Sequence, residues 1–78
     1  MERKEVFSKL NEIFEEILDL DSVELTDASN AEDYDEWDSL ANIQLVIAIQ
    51  KAFNIKFNSA EIMSWNNVGD MVDCIIAK

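Results

Sequence analysis

The 78-residue chain has no histidine, no proline, one glycine and one cysteine, and its six basic residues face seventeen acidic ones. Each shortage excludes something. Without histidine the commonest general base is missing, and no self-contained catalytic set is visible. A lone Cys74 cannot form an internal disulfide, and no paired Cys/His spacing suggests zinc. With no proline and one glycine there are few helix breakers. The longest unbroken apolar run, from Leu45 to Ile49, is far too short to span a bilayer.

A formal charge of −11 makes polyphosphate backbones and anionic membranes poor partners. The same field steers the chain towards basic protein surfaces. The start, Met1-Glu2-Arg3-Lys4-Glu5, leads into mixed charges and not an apolar signal core, so a cytoplasmic location is expected, without membrane insertion. About half of the residues are apolar, enough for one modest core, and the expectation is a monomeric single domain over residues 1–78.

Val6, Phe7, Leu10, Ile13, Phe14, Ile17 and Leu18 recur at the three-and-four spacing of an amphipathic helix, predicting one over about residues 3–19. The period is then lost from Leu20 to Asp38, where Val23, Leu25, Tyr34 and Trp37 are irregularly spaced. A loop this long is often functional. A second helix is predicted to begin at or near Ser39 and to run to Phe53. Asn58 or Ser59, followed by Glu61, signals a short third helix over about Ser59–Ser64. A fourth starts near Asn67, with Val68, Met71, Val72, Ile75 and Ile76 expected on its inner side. The fold class is therefore all-α: a small four-helix bundle of three longer helices and one short one, with a long loop between the first two.

The second helix carries more apolar surface than one core can use. With Ser39 at zero and ~100° per residue, Leu45, Val46, Ile49 and Phe53 fall between roughly 240° and 340°, a sufficient core face. Leu40, Ile43 and Ile47 fall between roughly 40° and 100°, on another side, beside Ser39. Either the loop covers this second stripe, through Tyr34 or Trp37, or it is an exposed docking face rimmed by Gln44, Gln50 and Lys51.

The run from Glu36-Trp37-Asp38-Ser39-Leu40 to Phe53, the helix exit Phe53-Asn54-Ile55 and the start Asn67-Val68-Gly69-Asp70 together resemble the acyl carrier proteins and the related peptidyl and D-alanyl carrier domains. The resemblance covers essentially the whole chain. By itself Asp-Ser-Leu would read as an ordinary helix cap. Asp21-Ser22-Val23 repeats its pattern, but no helix-periodic segment follows Ser22.

The resemblance implies that Ser39 accepts a 4′-phosphopantetheine arm from coenzyme A, with Asp38 and Leu40 as its neighbours. It also implies that Leu40, Ile43, Gln44 and Ile47 dock partners: a phosphopantetheinyl transferase, and loading and transfer enzymes with basic docking surfaces. The chain would be a carrier and not an enzyme. It would hold acyl or aminoacyl intermediates as thioesters for fatty-acid or specialised acyl biosynthesis.

Two departures from the family pattern bear on the cargo. Fatty-acid carriers of bacteria typically place acidic residues on the partner-facing side of the second helix, where this chain has Ala41, Gln44, Gln50 and Lys51. Trp37 stands where those carriers usually have a small residue. Cargo and pathway are left open by the sequence.

Other readings compete less well. An acidic helical adaptor would use the apolar stripe without a prosthetic group. A hydrolase would lack both histidine and a nucleophile elbow. Asp33-Tyr34-Asp35-Glu36-Trp37-Asp38 fails the calcium-loop pattern, with Trp37 at a ligand position and Asp38 where glycine is required. Cys74 lies in an apolar helix with no nearby sequence feature that would lower its pKa, and reads as a structural or surface thiol. Trp37 and Trp65 read as packing residues in preference to the lining of an acyl pocket. The charge itself is testable: the thermal midpoint at neutral pH should rise on adding salt or magnesium, and a midpoint indifferent to both would show that self-repulsion is negligible.

Overall fold

The computed structural model describes residues 2–78, and its regular elements are helical. Helix α1 spans Arg3–Leu18, α2 Ser39–Phe53, α3 Ser59–Ser64 and α4 Val68–Ala77, with one 3-10 turn at Ala31–Asp33 inside the long connection. Helix α1 packs on α2 and α4, and α3 packs on α4. The predicted bounds hold to within a residue or so at each end.

Side chains from outside glycine and proline punctuate these helices. α1 and α2 end at Asp19 and Asn54, both left-handed with φ 55°. The following amides close each end: Leu20 N–H donates to the Glu15 carbonyl at 2.9 Å and Ile55 N–H to that of Gln50 at 3.0 Å. Asp and Asn tolerate this conformation best after glycine. At the other ends, Asp38 caps α2 and Asn67 caps α4. Asn58 caps α3 in a reciprocal box with Glu61.

The core is continuous from α1 to α4. Val6, Leu10, Phe14 and Leu18 from α1, Leu45 and Ile49 from α2, and Val68, Met71, Val72 and Ile75 from α4 are all buried, with Val23 and Leu25 from the loop. Phe53 is half-buried against this cluster. Ile76 corrects the expectation for α4: it is 40% exposed. Its neighbour Ile75 takes the inward position, and ~100° of rotation carries the next residue off a stripe that a ten-residue helix can bury on one side only.

The long connection is pinned by polar contacts as well as by apolar anchors. Around the buried Val23 and Leu25, Val23 N–H donates to Glu15 Oε2 at 3.0 Å and Leu25 N–H to Asn11 Oδ1 at 2.9 Å. The extended backbone thus finds acceptors on α1 in place of a strand partner. Ser29, a buried polar residue beside the core, accepts the Thr26 N–H on its hydroxyl at 2.9 Å. Farther along, loop carbonyls receive two free amides at the start of α4: Val68 N–H donates to Ser29 O at 2.7 Å, and Gly69 N–H to Asp27 O at 2.9 Å. Arg3 adds an exposed clasp, pairing with Asp27 and, at 2.6 Å, with Asp73. Both partners being solvated, the clasp contributes little.

Gly69 is required by proximity and not by backbone angle. A Cβ there would sit 2.9 Å from the Asp27 carbonyl oxygen and 3.0 Å from Asp27 Oδ1. In an unobstructed helix Gly→Ala would stabilise by ~1 kcal/mol. Here crowding reverses the sign: Gly69→Ala should destabilise the protein by about 1–2 kcal/mol, read as a lower urea midpoint, and a gain in stability would show that the loop yields freely.

Candidate functional site

Ser39 is the first residue of α2 and is exposed. Its position follows from Asp38, whose extended backbone halts the loop and whose Oδ1 accepts the Ala41 N–H at 2.8 Å. The next helical bond, from Asn42 N–H to the Asp38 carbonyl, is 2.9 Å. Among the described residues no hydrogen bond engages the Ser39 hydroxyl or the Ser39 and Leu40 amides, although the cap consumes Ala41's. Two N–H donors at the positive end of a fifteen-residue helix therefore adjoin an unencumbered hydroxyl. That geometry fits an esterified phosphate, whose oxygens would face those donors.

The second apolar stripe of α2 lies in the open. Leu40 is 65% exposed, Ile43 58% and Ile47 47%, with Gln44 exposed among them. This decides between the two explanations of the stripe, since the loop aromatics are engaged elsewhere. Trp37 meets Phe14 edge-on, with ring centroids 4.9 Å apart, and donates its Nε1–H to Asn42 Oδ1 at 3.0 Å. Met63, 84% exposed on α3, is a further large apolar side chain in solvent. Sequence periodicity could not single it out, because six residues contain too little of the helical repeat.

A cleft of about 470 Å³ opens beside Ser39 and Asp38. Trp37, Trp65, Ile62 and Met71 form its apolar walls, while Asn30, Asn42, Asn66 and Asn67 contribute carboxamides. Both tryptophans do pack, Trp65 meeting Phe57 edge-on at 4.8 Å, and each shows another side to the cleft. Sequence reading missed the asparagines, which in isolation look like ordinary caps and loop residues. Their common feature, a carboxamide lining the cleft beside Ser39, becomes a signal only once the helices are placed.

Glu61 holds α3 in position beside this cleft. Its carboxylate accepts the Asn58 N–H at 3.0 Å and pairs with Lys78 at 2.8 Å, across from the end of α4. The hydrogen bond from Lys78, and then that from the Asn58 amide, lower its pKa below the ordinary carboxylate value. Cys74, 3.5 Å from Glu61, is shifted the other way: burial, then the neighbouring carboxylate, push its thiol up and keep it protonated.

Residues 8–75 match the family described as the phosphopantetheine attachment site. The chain is 37% identical to the acyl carrier protein of Guillardia theta over 79 aligned positions, spanning all of this chain and 96% of that one. It belongs to the acyl carrier protein family. A second carrier, from Thermotoga maritima, is 33% identical over 76 residues, covering 97% of this chain and 94% of its own.

The fold agrees with that of a solved relative, the holo acyl carrier protein of Geobacter metallireducens. It superposes with a TM-score of 0.88 at 36% identity, covering 94% of this chain and 84% of that one. As an acyl carrier protein the chain is a carrier and not an enzyme, and it bears a covalently attached phosphopantetheine. The adaptor reading, which dispensed with a prosthetic group, falls away. As a carrier it works with partner enzymes, and no helix among its described residues is long and apolar enough to cross a membrane.

A pH experiment tests the anchoring of α3. A carboxylate whose pKa is lowered in the folded state contributes stability above its unfolded pKa, about 4.3 for Glu. That contribution is lost as pH falls through the lower, folded value. Glu61→Gln keeps the capping geometry but removes the charge. The acid limb of its stability profile should be shallower than the parent's, and identical limbs would show that the Lys78 contact is idle.

Proposed function

We propose that Ser39 is the attachment point of the phosphopantetheine arm, and that Leu40, Ile43, Gln44 and Ile47 form the surface on which partner enzymes dock. The observation that carries this reading is the exposed, unbonded Ser39 hydroxyl at the capped start of α2, with the exposed apolar stripe running from it along the same helix. Ser22 offers neither feature: it is an exposed loop residue with no helix following it.

The residues around Ser39 can position a nucleophile but cannot activate it. An unactivated serine hydroxyl is weak, and the nearby titratable groups are carboxylates at the surface. A phosphopantetheinyl transferase must therefore provide the base and the metal ion. Ser39 Oγ forms the new bond to phosphorus, its proton passes to the transferase's base, and the adenosine bisphosphate half of coenzyme A departs. Asp38 keeps the helix start fixed during this attack. The free amides of Ser39 and Leu40 favour the phosphodiester, partly offsetting its repulsion by Asp38 and Glu36.

The bound group supplies a long arm ending in a thiol, which holds acyl or aminoacyl cargo as a thioester. Partner recognition then divides by chemistry. The Leu40, Ile43 and Ile47 side chains supply apolar area, while Glu32, Asp33, Asp35 and Glu36 in the approach loop steer basic surfaces towards it. Such partners are acyl- or aminoacyl-loading and transfer enzymes, and the carrier meets them as a monomer in the cytoplasm.

The test is incubation with coenzyme A, magnesium and a broad-specificity transferase, followed by intact mass measurement. One phosphopantetheine should be added to the parent and none to Ser39→Ala. No gain in the parent, or a gain surviving the substitution, would overturn the assignment. Ile43→Asp should leave the fold intact and slow the modification severalfold at limiting transferase.

A further inference from the structure

We infer that Lys51 and Lys56 decide which enzymes can dock on this carrier: they select a partner surface that places a carboxylate, and not a cation, opposite the far end of α2. The inference deepens the docking reading above and rests on it.

The charge of this acidic chain is unevenly laid out. From Ser39 to Ala60 there is no acidic residue, and Lys51 and Lys56 are the charged side chains of that stretch. Both are exposed. The ion pairs of the structure engage Arg3 and Lys78, and neither Lys51 nor Lys56 has an anionic partner among the described residues. Lys51 stands in the last turn of α2, where the helix dipole by itself favours a cation. The dipole does not account for Lys56, two residues beyond the Asn54 cap.

Place ties these cations to the apolar stripe. Lys51 follows Ile47 by four residues, and at roughly 120° on the helical wheel it continues the line of Leu40, Ile43 and Ile47. An open hollow of about 530 Å³ lies there, lined by Ile47, Gln50, Lys51, Asn54, Ile55 and Lys56. Gln50 Oε1 accepts the Phe57 N–H at 2.9 Å, which leaves the Gln50 NH2 as a donor. The Asn54 carboxamide is unengaged among the described residues and can present either end. Two ammonium groups and an amide donor beside two isoleucines suit a Glu or Asp side chain of a partner, its methylenes on the apolar part and its carboxylate on the cations.

The two ends of the docking surface are read separately. Twelve positions separate Ser39 from Lys51, about 18 Å along the helix axis. That exceeds the ~8 Å over which exposed charges act at physiological salt. A fitting enzyme is therefore basic opposite Glu32, Asp33, Asp35 and Glu36, apolar along the stripe, and acidic opposite Lys51 and Lys56. A surface that is basic throughout is attracted by the loop but meets like charge when it closes on the end of α2. Two lysines in a chain of net charge −11 are too few to hold a polyanion instead.

The probe is a malonyl transferase of bacterial fatty-acid synthesis chosen for a basic docking surface, acting on the phosphopantetheine-bearing protein, with kcat and KM measured for the carrier at low and high salt. The parent should be a poor substrate. Solvated charges act weakly one by one, so Lys51→Glu/Lys56→Glu should lower KM about fivefold. The gain should leave kcat unchanged and shrink at high salt, and Lys51→Gln/Lys56→Gln should fall between the two. Lys4→Glu, on the exposed side of α1, controls for net charge and should leave KM unchanged. Replacing the basic docking residues of the transferase by Glu, one at a time, should yield a form that prefers the parent to the double reversal.

No gain on reversal, a gain that high salt leaves intact, an equal gain from Lys4→Glu, or no Glu-bearing transferase that prefers the parent would each overturn the inference. Failures of the underlying reading look different. No mass gain on loading, or a gain surviving Ser39→Ala, overturns the attachment point, and Ile43→Asp without effect on KM overturns the docking stripe.

Discussion

The first amides of α4 have no partner within their own helix, and the fold depends on where they find one. Loop carbonyls at Ser29 and Asp27 accept from Val68 and Gly69, so the middle of the long connection is fastened to the last helix. Val68 at this junction is fully buried and helps build the core shared with α1 and α2. Loosening the junction would release the loop, and with it Trp37 and the cap that starts α2. A single glycine permits the approach, because a Cβ at position 69 would crowd the Asp27 carbonyl and side chain at about 3 Å. The chain's one glycine is therefore at a point where the loop backbone comes too close to leave room for a Cβ.

Much of this architecture is legible in the residues themselves. The period of Val6 to Leu18 and of Leu40 to Phe53 defines two helices almost to the residue, because each has a full inward stripe. Asn58, Asn67 and Asp38 are readable as starts because short polar side chains satisfy amides there. The surplus stripe on α2 is visible as well, but its fate is not. Whether Leu40, Ile43 and Ile47 are covered depends on where Tyr34 and Trp37 point, and their irregular spacing carries no such information. Ile76 shows the opposite failure: hydrophobicity alone suggests burial, while helix geometry turns it outward.

The cleft is illegible in the sequence for a related reason. Its asparagines come from the loop, α2 and the approach to α4, and Asn30, Asn42 and Asn67 each make a local hydrogen bond that accounts for them in isolation. Only in three dimensions do these residues come to line one cleft beside Ser39. The charge pattern can be read directly, yet its meaning depends on place. Acidic side chains crowd the approach loop, while the exposed flank of α2 is apolar and carboxamide, so attraction and adhesion fall to different segments.

The Asp38 cap sets how the attached arm can move. A tether explores space around its fixed end, and a frayed helix would let that end wander as well. With Asp38 bonded to Ala41 and the first helical hydrogen bond closed at Asn42, the fixed end is a post and not another link in the chain. An enzyme that grips α2 thereby fixes the centre of the volume its active site must lie within. The conformational freedom left to be lost belongs to the arm, and the local concentration of cargo at the enzyme follows from arm length and from how far α2 sits from the reacting centre.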